Sequence, residues 1–276
     1  LVTLTEQEYK FLDTAVKDPP RKILVGRRIA NTFGPLGEGV LTIDYHKVSE
    51  VGVATLFKSQ KITLGEDVVD RTVGSLDIPA IARGFRIPRR TVEAARRMGT
   101  PLDVVTARSA AYQVALLEDE LVINTHSGIS GLYASAGNTD TGADWATLTN
   151  IPLTLNKGIA KLREDNIYGP YNLVVAEEQW GYLNNLISGT SEWYLDVMKR
   201  LIGGEVFPSG FLTDGTAMML AMPDAGFFDL PLGVDIHAEV EELPLNEFKD
   251  LYGVVWEAIT PRIRETNAIC TLTSLT

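Results

Sequence analysis

The sequence predicts an α+β protein, and three observations carry that prediction. The chain opens on a capped amphipathic helix. Residues 41–76 then alternate apolar and polar side chains in the period of strands, and residues 151–221 interleave helical and strand patterns before the tail returns to strands. With 276 residues and 45% hydrophobic content, the chain can bury a full core, either as one large domain or as two joined ones.

In chain order, "TEQEYKFLDTAV" places Glu8 three residues after Thr5, the spacing of a capping box, and sets Tyr9, Leu12 and Val16 on one helical face. Pro19-Pro20 is expected to stop this helix. Next comes "NTFGPLGEGV", residues 31–40, where Gly34, Pro35, Gly37 and Gly39 crowd together. A phosphate loop would need Lys and Ser or Thr after the last glycine, followed by a helix N-terminus. Here Gly39 runs instead into "VLTIDYH", with Leu41, Ile43 and Tyr45 alternating against Thr42, Asp44 and His46. The stretch reads as a corner leading into a strand.

Residues 45–73 continue extended, with Val51, Val53, Thr55 and Phe57 on one face and a turn offered by Gly65-Glu66-Asp67. Such a two-stranded ribbon is marginal alone and exposes its edges, so another part of the chain or a neighbouring chain should cover it. Val104, Ala107, Ala111, Val114, Leu117 and Leu121 recur at spacings of three and four, predicting a long central spine helix. "SGISGLYASAGNTDTGAD" follows as a loop between two lobes. The second lobe alternates element types: a helix around 151–166, a strand in "YNLVVA", helices around 177–187 and 191–202, and a strand in "TAMMLAM". The strands of the tail, "GVDIHAEVE" and the segment from Leu251, are expected to rejoin the first lobe's sheet.

Composition excludes several function classes. A net charge of -11 repels phosphate backbones and anionic lipid. The arginines of "RGFRIPRRTVEAARR" (Arg83, Arg86, Arg89, Arg90, Arg96 and Arg97) lack interleaved aromatics, and are expected to pair with "LEDE" at 117–120 and "EVEE" at 239–242. The single cysteine, Cys270, can form neither an intrachain bridge nor a cysteine zinc site, which makes the cytoplasm the default compartment. Neither a membrane span nor a signal peptide is apparent, and the chain begins with Leu rather than Met. His46, His126 and His237 show no metal-ligand spacing, so they read as edge or turn residues and no metal site is predicted. Ser130 in "GISGL" misses the nucleophile-elbow pattern, and Asp140 in "DTG" has loop neighbours rather than a buried strand. No catalytic residue is assigned, and an enzyme is not expected.

The series L-T-E before a helix, then "GRR", "GPLGEG", the spine with "EDELVIN", "SGISGL" and "GPYNLVV" resembles the encapsulin shell proteins, or linocin-like family, over nearly the whole chain. The resemblance implies a Hong Kong 97-like capsid fold, as in tailed bacteriophages. Residues 1–47 would hold the N-terminal helix and the start of a peripheral domain, 48–76 an extended loop, and 77–142 the peripheral domain with its spine. An axial domain would follow at 143–228, with a return to the peripheral domain at 229–276.

The resemblance further implies a hollow icosahedral homo-oligomer that encloses a cargo protein through the cargo's short C-terminal peptide. Cargo docking carries over to Tyr9, Leu12, Arg27, Asn31, Gly233, Val234 and Asp235, with Asn31 standing where a carboxylate is expected. Ser188, Gly189, Thr190, Ser191 and Glu192 would line a pore, and Val51, Val53 and Phe57 would contact neighbouring subunits. Some encapsulins bind flavin, but "RIPRRTV" lacks the aromatic for it, so no cofactor is expected. Two alternatives accompany this reading: a viral major capsid protein packaging DNA in a virion and, more distantly, a hydrolase using Ser130 or Asp140.

Overall fold

Thr5 begins the first helix in the way its spacing predicts. Its hydroxyl accepts from the Glu8 backbone N–H at 3.3 Å, and the Glu8 carboxylate accepts the Thr5 N–H at 2.7 Å. The computed structural model describes residues 4–48, 71–224, 226–242 and 250–276. Its first half runs through α1 (Glu6–Ile23), α2 (Gly26–Ile29), β1 (Asn31–Phe33), β2 (Thr42–Val48), β3 (Arg71–Asp77), β4 (Ala80–Ile87), α3 (Arg89–Met98) and α4 (Val105–Ile123). The second half runs through β5 (Asn138–Thr141), α5 (Asn150–Glu164), β6 (Tyr171–Val175), α6 (Glu177–Leu183), α7 (Tyr194–Ile202), β7 (Val206–Pro208) and β8 (Ala217–Ala221). It ends with β9 (Phe228–Glu242), β10 (Leu251–Ile259), β11 (Arg262–Ile263) and β12 (Ile269–Thr273).

Helix α1 does not stop at Pro19-Pro20. It continues to Ile23, and the Leu24 N–H closes onto the Pro20 carbonyl at 2.9 Å. The prolines withdraw two backbone donors, but Leu12, Ala15, Val16 and Pro20 are all buried, and this packing outweighs the lost bonds.

Two sheets organise the lobes. The first has the order β1-β9-β10-β4, with β11 also on β9; β1 pairs parallel to β9 and the others antiparallel. The second has the order β5-β12-β8-β6-β7. The tail therefore divides: β9 and β10 rejoin the first sheet as expected, whereas β12 enters the second sheet between β5 and β8. The loop expected at 127–144 likewise contains a strand, because Asn138–Thr141 runs parallel to Cys270–Thr273, and Asp140 sits in that strand rather than in a solvated loop.

The glycine-rich corner is geometric. Leu36 and Gly37 donate backbone hydrogen bonds to the carbonyls of Leu232 and Gly233, both at 2.9 Å, which zips the corner along β9. Gly34 has φ +137°, and a side chain there would collide with the Leu232 carbonyl. Beyond the corner, β2 and β3 pair antiparallel from Thr42 opposite Asp77 to Val48 opposite Arg71, forming the base of the expected ribbon. Gly74 lies opposite Tyr45 and leaves room for its ring. Val51, Val53, Phe57 and the turn at 65–67 lie outside the described residues.

The spine α4 packs against α1, β4 and β10, and Ala107, Ala111, Val114 and Leu121 are buried on it as predicted. Glu118 and Asp119 are buried too, so the helix is not simply amphipathic. The arginine pairings also differ from expectation: Arg86 holds Asp250, Arg89 holds Glu93 at 2.7 Å and Arg96 holds Glu8 at 2.6 Å. The fold commits Glu118 and Asp119 to the segment after α1 instead, beneath the cleft described next.

Candidate docking cleft

A cleft of about 220 Å³ opens between α1 and β9, lined by Lys17, Pro20, Leu24, Arg27, Arg28, Asp235 and Ile236. Its walls come from local rules. The helical period turns Leu12 and Val16 inward and leaves Lys17 half-exposed beside Asp13, to which it pairs at 2.7 Å. On β9, alternation buries Ile236 and exposes Asp235. Tyr9 fastens the two elements, because its hydroxyl donates to the Ala238 carbonyl at 2.7 Å.

Arg27 forms the floor. Its Nε reaches Glu118 at 2.7 Å, Nη1 reaches Asp235 at 2.7 Å and Nη2 reaches Glu257 at 2.8 Å. Glu118 and Glu257 are fully buried, so this one guanidinium compensates two carboxylates removed from water. Burial, followed by the neighbouring Glu118 charge, pushes the Glu257 carboxyl well above its ordinary value. Against the upward push of burial, the Arg27 guanidinium holds Asp235 below its ordinary value. Beside them, burial lifts Asp119 to about 6, although its carboxylate accepts the N–H groups of Val25 and Gly26 at 2.9 and 2.8 Å.

Of the residues assigned to docking from sequence, Arg27 and Asp235 meet in the cleft, whereas Tyr9 is outside its lining and ties α1 to β9 at Ala238. Leu12 is fully buried in the core and cannot present its side chain to a ligand, because the face it shares with Val16 is the one turned inward. Gly233 is buried, with the Ala258 side chain filling the space a Cβ would occupy, and Val234 is half-buried. Asn31 begins β1 and donates to the Pro223 carbonyl at 3.2 Å, away from the residues that line the cleft. Sequence reasoning missed Lys17, Pro20, Leu24, Arg28 and Ile236. The strand period of β9 pointed to Ile236, but the continuation of α1 through its prolines concealed Pro20 and Leu24.

The segment Ser188–Glu192 forms an exposed tip between α6 and α7. It is closed by the Ile187 N–H on the Glu192 carbonyl at 2.9 Å, while Gly189 adopts φ +80° and Glu192 pairs with Arg200 at 2.8 Å.

Residues 1–243 match the family described as "Encapsulating protein for peroxidase". The chain belongs to the encapsulin family. Among curated encapsulin relatives, the type 1 encapsulin shell protein EncA of Myxococcus xanthus is 29% identical over 98% of this chain and 93% of its own length. A diheme-cytochrome-encapsulin shell fusion protein of Kuenenia stuttgartiensis is 26% identical over 98% of this chain and 74% of its own. Solved structures share the fold. A virus-like particle from Pyrococcus furiosus aligns with a TM-score of 0.69 at 18% identity over 97% of this chain and 100% of its own. The capsid of Myoviridae phage XM1 aligns at 0.65 and 13% identity over 88% of this chain and 89% of its own.

This encapsulin is thus a structural shell protein with the Hong Kong 97-like capsid fold, and family membership groups it with compartment shells rather than with the viral capsid proteins that share its architecture. No helix among the described residues is long and apolar enough to cross a membrane.

Proposed function

We propose that many copies of this chain close into a hollow icosahedral particle in the cytoplasm, and that each copy holds cargo by docking a short C-terminal peptide of the cargo in the cleft between α1 and β9. The family match carries the shell part of this reading. The composition of the cleft supports the docking part. Pro20, Leu24 and Ile236 offer apolar surface, while Lys17 and Arg28 supply positive charge at the rim, a combination suited to a peptide with apolar side chains and a terminal carboxylate.

The tip Ser188–Glu192 meets its symmetry copies and lines a pore, its short polar side chains leaving water a path. The scaffold acts by geometry, with no chemical step of its own.

The test has two arms. Electron microscopy of the purified protein should show closed particles of uniform diameter, and a population of monomers at working concentration would overturn the shell reading. Lys17→Glu combined with Arg28→Glu, which reverses the charge at the accessible rim, should leave those particles intact while strongly reducing retention of a reporter protein that carries the cargo peptide. Undiminished retention would remove the cleft from the reading without touching the shell.

A further inference from the structure

We propose that Glu38, His237 and Glu239 form a site for one zinc-like divalent transition cation, fixed on the first sheet beside the cleft. The imidazole and two carboxylates place one ligand atom each within 4.8 Å of one another. They come from two segments already joined: Glu38 from the glycine-rich corner, and His237 and Glu239 from the strand to which Leu36 and Gly37 zip that corner.

The orientation of His237 is what favours a cation. Its Nδ1 lies 2.9 Å from the Asp235 backbone carbonyl, a group that can only accept, so Nδ1 carries the hydrogen. In the neutral ring, Nε2 then presents a lone pair, and it faces the Glu239 carboxylate at 3.0 Å. Two acceptors at that separation call for a positive charge between them, which a bound cation supplies as well as a ring proton does, and the third ligand, Glu38, is what a cation adds. The Glu239 oxygen that faces His237, Oε1, also accepts the Trp256 indole N–H at 3.0 Å, which fixes its position, and the Trp256 ring packs on the imidazole at 4.8 Å between centroids. Both strand ligands are therefore held by groups outside the trio, the outer-shell arrangement that fixes tautomer and ring direction in metal sites.

The ligand chemistry selects the metal class. One imidazole nitrogen with two carboxylate oxygens suits zinc and its neighbours, whereas calcium and magnesium favour six or more oxygens. Tetrahedral bonds of about 2 Å bring ligand atoms to roughly 3.3 Å apart, a closure that rotation of the exposed Glu38 side chain supplies, with water in the fourth position. The site would tie the corner to β9 one residue beyond the cleft wall at Ile236.

Metal-free protein titrated with Co²⁺ should develop the intense visible bands of four-coordinate cobalt, and equilibrium dialysis should give one Zn²⁺ per chain. Glu38→Gln lies on an exposed corner remote from the core, and it should weaken Zn²⁺ binding at least tenfold. His237→Gln should abolish the cobalt bands. Trp256→Phe, which removes the orienting N–H while keeping an aromatic ring beside the imidazole, should raise the Kd about tenfold. Weak octahedral cobalt spectra, or equal Zn²⁺ binding by the wild type and Glu38→Gln, would overturn the assignment and leave a protonated histidine paired with Glu239.

Discussion

The two sheets are built on different principles. In the second, β6 and β8 are buried at every position, so Tyr171–Val175 and Ala217–Ala221 are covered on both faces. In the first, β4 and β10 alternate between buried and exposed residues over much of their length, and Tyr252 and Val254 present apolar surface outward. The inner side of this first region also contains buried charge, with Glu118, Asp119 and Glu257 gathered around Arg27 and the backbone after α1. The second lobe is held mainly by apolar packing, with neutral buried groups such as Gln179 and Asn172 accepting single backbone hydrogen bonds, and the first by apolar packing around a knot of buried charge. The knot is costly to desolvate but directional, and it fixes α1, α4, β9 and β10 in one arrangement next to the cleft.

The largest effect that would break this contrast is Arg27→Ala. It strands two fully buried carboxylates and should cost about 4 kcal/mol in chemical denaturation. Leu220→Ala in the second sheet should cost about 3 kcal/mol by the different route of an apolar cavity, and its effect should not change between pH 5 and pH 7.

The smallest effect sharpens the comparison through pH. Asp119 binds its proton more tightly folded, at about 6, than unfolded. Its contribution is therefore fully favourable below the ordinary carboxylate range and is lost as pH rises through 6. Glu257 is displaced in the same direction. Asp119→Asn keeps an oxygen for the Val25 and Gly26 N–H groups, so it should remove part of the stability gain that the wild type shows on acidification from pH 7 to pH 5. Below that window the sign reverses, because the hydrogen bond from Arg96 holds Glu8 down at about 2 and the pairing is lost as that group protonates.

Much of the second lobe was legible because its elements satisfy purely local rules. The apolar runs "YNLVV" and "AMMLA" cannot face water, and the helix at 150–164 has a clean period. The start of α1 was legible for the same reason, since its cap lies within four residues of sequence. Its end was not, because burial of Pro20 and Leu24 against distant elements overrode a local stop signal. The pairings of Arg27 were equally hidden. Glu118 and Glu257 stand 91 and 230 positions away, and no spacing announces them. The position of β12 could not be read either, since "ICTLT" would suit an inner strand of either sheet. What sequence did supply for the cleft was Arg27 with Asp235. The apolar lining depended on knowing how α1 ends.

The path of the tail has a mechanical consequence. The chain leaves the first sheet after β11 and lodges β12 between β5 and β8, so each lobe is assembled from two separated stretches of the sequence. Neither lobe can be excised by a single cut. Prising them apart would strain three chain crossings at once, after α4, after β8 and after β11, so outward pressure on such a tile would be shared between them as through a riveted plate.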